Sequence, residues 1–485
     1  MILNKLKLDT EVISAVFIIV LNTFLVLATF FGGFILPLFI LVMFFSFWIS
    51  FAYPRSGIYA IVFLTLIFER FFTLAPIIIG YQEYKLYPLD IILGAVFLAY
   101  FIQSTLFLAK GTKEKYLPEN KYLIIFFVLV GVHFLADVLF FQTDKSLAFS
   151  SFKYYIFYPW IYFVILFFFK KEKDFLRLIK FYFAGAIGIL FFIIFGIING
   201  GGLWTEYTPL STSGIRILAF THGFYVLMGL LGVGIWSLYQ KQKNLGLIKF
   251  LMFFWFVGLV GSMMRHLWMS LGFSLAMIYL FSKKENREIF RKNIFKGGVI
   301  FIFSIFLISF VATISPHYTN LNKSVSGSIN SIEERVGSLF ADFNKDESFS
   351  WRELVWRESF KEYIKEPVWG MGFGKKIYVE SIDYKDFVEV RNIHNSWLVL
   401  IFQGGLLVAL FFLVFVFKLL LRLVRLRDRD WQDILLLVLL LNYFVVAIFQ
   451  PYWETNMLAI FFWIILGLIG VRSLSNLKHE NFRNK

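Results

Sequence analysis

The chain has 485 residues, of which 59% are hydrophobic and 16% charged, with 65 phenylalanines, no cysteine and a formal net charge of +15. Soluble domains are roughly 45–50% apolar and about 25% charged, and one hydrophobic core stops growing near roughly 250–300 residues, so lipid must be the solvent for most of this surface. The lack of cysteine excludes disulfides, thiolate nucleophiles and cysteine-ligated zinc.

Crossing a bilayer takes about 20 apolar residues. Such stretches are predicted at 12–31, 33–52, 57–80, 88–109, 121–141, 152–169, 175–198, 215–238, 246–264, 266–282 and 295–314, then at 396–419, 432–450 and 455–473. The first follows Lys5 and Lys7, as a signal peptide's apolar stretch would. It is too long for one and lacks a small-residue cleavage site, so it reads as a retained anchor. Place the N-terminus in the cytoplasm and alternate. The basic links Lys110 to Lys121, Lys170 to Lys180, Lys241 to Lys249, Lys283 to Lys296 and Lys418 to Arg429 then all fall inside, with Arg55 and both termini. Cytoplasmic retention of Lys and Arg is the positive-inside rule. The basic balance is therefore a topology signal, and no nucleic-acid partner is expected.

One extramembrane segment is long: Ser315 to Asn395, which lands outside. A helix is predicted from about Trp351 to Lys365, with Trp351, Leu354, Val355 and Phe360 as a loose apolar stripe. Pro367 and the run Gly370-Met371-Gly372-Phe373-Gly374 end it in a turn. The aromatic and charged mixture here favours an ordered cap. The expected fold is all-α: a polytopic transmembrane helical bundle of about 12–14 helices. Residues 1–314 hold the first spans, 315–395 the outer loop with short helices, and 396–485 the last three spans and a cytoplasmic tail.

Three positions on the outer face stand out. Arg216 closes the outward loop Gly200 to Gly214, Arg265 lies in the tight turn Met263-Met264-Arg265-His266, and His394 sits where the long loop returns to the membrane. Two guanidinium groups near one interface suit bidentate binding of an anionic phosphate; a lone arginine there equally well snorkels to headgroups. Glu69 and Arg70 fall mid-span as adjacent helix residues that do not face each other. Each needs another partner, with Asp90 or Asp137 as candidates, and Lys153 begins a span on the same side. An ion-pair network between helices would explain these charges, as would substrate contacts from Arg70 and Lys153. Arg352 either contacts substrate or pairs within the cap, and His222 and His266 read as packing residues. Asp428-Arg429-Asp430 reads as a solvated charge run, and Gly370-x-Gly372-x-Gly374 lacks the strand and helix of a dinucleotide loop.

The stretches Trp351-Arg352-Glu353-Leu354-Val355-Trp356, Glu366-Pro367-Val368-Trp369-Gly370-Met371-Gly372, His394-Asn395-Ser396-Trp397-Leu398 and Gly404-Gly405-Leu406 together resemble the signature of the O-antigen ligase family, which includes related polysaccharide polymerases. The resemblance directly covers about 351–406. It implies a periplasmic active site in the bacterial inner membrane, with both termini cytoplasmic. It also implies glycan transfer from undecaprenyl diphosphate without metal or cofactor. The family's two outer arginines, thought to hold the diphosphate, resemble Arg216 and Arg265, and its histidine matches His394; Arg352, Lys153, Asn395 and Arg70 are expected to contact substrate. Two departures stand out: Met264 replaces the serine that usually precedes the second arginine, and Gln403 stands where many relatives carry Glu. The acceptor implied is lipid A-core for a ligase, or a second lipid-linked repeat unit for a polymerase. A lipid-linked sugar transporter is the reading from another class; the internal repeats common in transporters are not evident.

Overall fold

The computed structural model describes residues 9–68, 76–79, 82–85, 87–110, 117–140, 143–199, 218–240, 246–262, 264–296, 298–299, 347–380, 385–426 and 429–483. It is an all-α bundle with two small hairpins among the described residues. Eight helices are long and apolar enough to cross a membrane, and four shorter apolar helices lie between them. The predicted span at 295–314 lies almost wholly outside the described residues.

In chain order come α1 (Thr10–Gly32), α2 (Leu36–Ala52) and α3 (Pro54–Phe68). The Asp9 carboxylate accepts the Glu11 amide and caps α1. The span expected over 57–80 is corrected at its end: the described part of α3 runs to Phe68, residues 69–75 lie outside the described residues, and β1 (Pro76–Ile79) pairs antiparallel with β2 (Gln82–Lys85). Pro76 cannot continue a helix, and the β-branched run Ile77-Ile78-Ile79 favours extended backbone. Then follow α4 (Pro88–Ala109), α5 (Asn120–Leu139), α6 (Lys145–Phe152), α7 (Trp160–Phe168), α8 (Glu172–Asn199), α9 (Phe220–Gln240), α10 (Gly246–Gly261), α11 (Arg265–Phe281) and α12 (284–296). A π-helical turn, Lys153–Phe157, joins α6 to α7, with the Tyr158 amide donating to the Lys153 carbonyl. Pro159 has no N–H to continue the regular ladder, and the wider turn accommodates it.

Where neighbouring helices touch, small residues let the backbones approach. A Cβ at Gly185 of α8 would meet Leu66 of α3 at 2.8 Å. The final helix α16 (Asn456–Arg483) packs on α7 the same way, where a Cβ at Gly467 would meet Ile165 at 2.6 Å.

The end of the bundle bearing the basic links is tied by ion pairs. Arg55 binds Glu11, Arg177 binds Asp9 and Glu11, and Arg422 binds Glu119. Arg472 pairs with Asp430 and Asp433. Asp430 also caps α15 (Trp431–Val446) through the Gln432 and Asp433 amides. It is thus a structural anchor, not part of a merely solvated run.

The described part of the long loop sits at the opposite end. Helix α13 (Glu347–Tyr363) ends two residues before the expected Lys365. It is followed by a hairpin absent from the sequence reading, β3 (Lys376–Glu380) against β4 (Lys385–Glu389). Val355, Tyr363, Ile377, Val379, Val388 and Ile393 form a small core completed by Val399 and Phe402 of α14 (Ser396–Arg425). The cap is therefore built onto the helix that follows it.

Candidate active site

The turn into α14 forms the site's centre. Asn395 caps that helix, its side-chain oxygen accepting the Leu398 amide at 3.1 Å. His394, just before the cap, holds a left-handed backbone with φ 55°, alone among the described non-glycine residues. Such strain persists only when the surroundings over-determine it. Here they do: the Trp356 indole donates to the Ile393 carbonyl at 2.7 Å, and the Trp351 ring stands edge-on to the imidazole at 5.7 Å.

The imidazole is oriented from the other side by the connection between α15 and α16. His394 Nδ1 lies 2.7 Å from Gln450 Oε1. An amide oxygen only accepts, so Nδ1 carries the proton and Nε2 the lone pair. Burial pushes the His394 pKa below the usual 6.5; the Gln450 bond opposes this, and the nearby Arg352 guanidinium adds to it. His394 is therefore a neutral imidazole near pH 7 with Nε2 able to accept a proton.

Beneath it lies a carboxyl group that the sequence reading missed. Glu454 is buried and accepts from Tyr155 and from Ser396, the residue that starts α14. Ser396 in turn receives the Trp453 amide and lies 3.4 Å from the Gln450 carbonyl. Burial raises the Glu454 pKa to about 7, against the lowering effect of its Ser396 and Tyr155 bonds. Nothing in the local sequence marks Glu454; its position depends on the α15–α16 turn meeting the π-helical turn that presents Tyr155.

Arg265 begins α11, and its neighbour His266 bonds the Tyr452 hydroxyl at 3.2 Å. Tyr452 is two residues from Gln450 and donates its amide to that residue's carbonyl. Thus α11 and the His394 turn dock on one connecting segment. The Arg352 guanidinium lies within electrostatic reach of His394, and Arg265 starts the helix that meets the turn supporting His394. Arg216 and Arg70 lie outside the described residues, as does Glu69.

Lys153 is nearly buried, with Nζ 2.5 Å from Asp90 Oδ2 and cation–π contacts to Tyr87 and Tyr158. The Tyr158 hydroxyl donates to the other Asp90 oxygen at 3.0 Å. Asp90 therefore pairs with Lys153. Asp137, the other suggested partner, bonds His133 Nδ1 at 3.0 Å. Arg391, another cation that the sequence reading did not single out, pairs with Glu389 and lies within electrostatic reach of Tyr154 and Tyr87.

The glycine-rich turn serves the scaffold. Helix α14 breaks at Gly405, with φ 74° and ψ 179°, freeing carbonyls that the turn fills. The Met371 amide donates to the Phe402 carbonyl, Gly372 to Gln403, and Leu406 returns a bond to Pro367. A Cβ at Gly405 would sit 2.2 Å from the Val368 carbonyl oxygen. The turn is fastened to α5 as well: Phe373 N donates to Asp137, and His133 Nε2 meets the Trp369 carbonyl beneath the stacked Trp369 ring.

These features define a multi-pass membrane protein with a polar site gathered beneath an extramembrane cap at one end of its bundle. Residues 250–413 match the family model described as O-antigen ligase. That stretch runs from α10 through the cap into α14 and contains Arg265, Arg352, His394 and Asn395, so the motif resemblance holds over it. Comparison with curated proteins gives no match.

Proposed function

We propose that this protein is an O-antigen ligase-like glycosyltransferase of the bacterial inner membrane. It moves a glycan from undecaprenyl diphosphate to a hydroxyl of lipid A-core on the periplasmic face. The observation that carries the reading is His394, whose Nδ1 is committed to Gln450 so that Nε2 can take a proton. An acceptor hydroxyl bonded to Nε2 loses its proton as its oxygen attacks the anomeric carbon, and the bond to the diphosphate breaks. Negative charge grows on the departing oxygen, where preorganised guanidinium groups stabilise the transition state more than the ground state. Arg265, and Arg216 by its sequence position, fit that role; Arg352 suits contact with the substrate nearest the imidazole. A single displacement inverts the anomeric centre, and no step requires a metal.

Purified protein in detergent, supplied with lipid-linked glycan and lipid A-core, should form product with no membrane to cross. Arg265→Ala, Arg216→Ala and His394→Ala should each abolish it while leaving the amount of folded protein unchanged. Normal transfer by His394→Ala removes the imidazole from the mechanism. Product only from two lipid-linked repeat units would make the enzyme a polymerase using the same site.

A further inference from the structure

A groove of about 730 Å³ lies between the outer ends of α5 and α6 and the turn that follows α13. His394 does not line it. We propose that this groove binds the saccharide portion of a lipid-anchored substrate, as a neutral or zwitterionic oligosaccharide and not as a phosphate. The choice of a glycan rests on the transferase reading above; the groove's chemistry is independent of it.

The groove presents four carboxylates, from Asp137, Asp144, Glu362 and Glu366. Against them stand three ammonium groups, from Lys365, Lys375 and Lys376. Much of this charge is already matched internally. Asp144 pairs with Lys376 at 3.0 Å, Glu362 with Lys365 at 2.7 Å, and Asp137 with His133. A diphosphate site needs surplus positive charge, and this groove has none. What it offers is alternating donors and acceptors, suited to hydroxyl groups.

Phe387 is 61% exposed and Trp369 lines the same groove. Tyr378, 49% exposed, stands beside Phe387 with centroids 5.3 Å apart on the hairpin. Exposed aromatic faces next to convergent polar groups match the apolar C–H faces and hydroxyl edges of a sugar. The volume is in the range that encloses a ligand of roughly two to four sugar units.

Phe360, Ile364 and Val368 recur at every fourth residue and are all exposed, as are Leu406, Leu407 and Leu410 of α14. The Leu406–Pro367 bond makes the two rows continuous. This apolar edge places the end of α13 at the lipid boundary, while Glu362 and Glu366, two residues out of step with that row, line the groove. The groove thus opens where the headgroup of a lipid-anchored molecule leaves the bilayer.

The test is binding without turnover. Full-length protein in nanodiscs is titrated with lipid-free tri- and tetrasaccharides released from the producing cell's surface polysaccharide, and separately with inorganic pyrophosphate. Wild type and His394→Ala should bind the oligosaccharides, whereas Phe387→Ala and Glu366→Gln should each weaken binding about tenfold or more. Both substituted residues are exposed, and an unchanged melting temperature checks their folding. Absence of binding by wild type, equal binding by both groove variants, or displacement of the sugar by pyrophosphate would overturn the proposal. The two readings fail separately. A chain that binds but never transfers refutes the transferase alone. A chain that transfers with unchanged KM for both substrates in both groove variants refutes the groove alone.

Discussion

His394 and Gln450, 56 residues apart in sequence, are joined by a 2.7 Å bond that fixes which imidazole nitrogen carries the proton. Two substitutions around it should move the acid limb of the pH–rate profile in opposite directions. Gln450→Leu removes the bond that raises the His394 pKa, so the limb should move to lower pH, with the maximal rate falling on the order of 10–100-fold as the ring loses its orientation. Arg352→Ala removes a neighbouring positive charge, so the limb should move to higher pH. Shifts of the same sign in both variants would dissociate the profile from His394.

Glu454 should make stability fall as pH rises. Its pKa is about 7 when folded and near the ordinary 4.5 when unfolded. Between those values the folded chain holds a proton that the unfolded chain has lost, so stability present below pH 4.5 is lost as pH climbs through 7. Glu454→Gln should flatten that slope, read as melting temperature against pH in detergent. A slope retained in the variant assigns the effect to another group.

Gly405→Ala should be among the most damaging single substitutions outside the catalytic groups. The residue has φ 74°, and an added methyl group would overlap the Val368 carbonyl. A loss of about 2–4 kcal/mol is expected from strain plus broken backbone bonds. Unfolding in detergent measures it, and a variant as stable as wild type contradicts the interlock.

Lys153 separates a structural from a substrate-contacting role. Lys153→Met strands Asp90 in a buried position and should cost about 3–5 kcal/mol. The double variant Lys153→Met, Asp90→Asn should recover most of that stability. If Lys153 only holds helices together, transfer activity returns with it; if Lys153 also touches substrate, activity stays low in the stable double variant.

Much of the bundle was legible because lipid imposes a single periodic demand. Predicted spans such as 88–109 and 266–282 lie within two residues of α4 and α11. The errors came where local chemistry opposed composition. The run 57–80 is apolar apart from Glu69 and Arg70, but its end, Pro76 and the isoleucines after it, enters a hairpin that hydropathy does not distinguish from helix. The cap's hairpin was equally hidden, since β3 and β4 are short and half polar. His394, Arg352 and Arg265 were visible as charged or titratable groups at membrane edges. Glu454, Gln450 and Tyr155 were not, because they become partners only when distant turns meet. Asp90 and Asp137 were offered as partners for Glu69 and Arg70, but they pair instead with Lys153 and His133, which spacing along the chain did not identify.

The break in α14 bears on how such proteins can be recombined. The turn at 367–372 and the carbonyls at 402–403 satisfy each other, so neither segment is complete alone. A chimera that exchanges the cap with a relative's at the membrane boundary should fold only if the incoming turn offers the same peptide groups to 402–406; a cap lacking that turn would leave orphaned carbonyls at the break in α14.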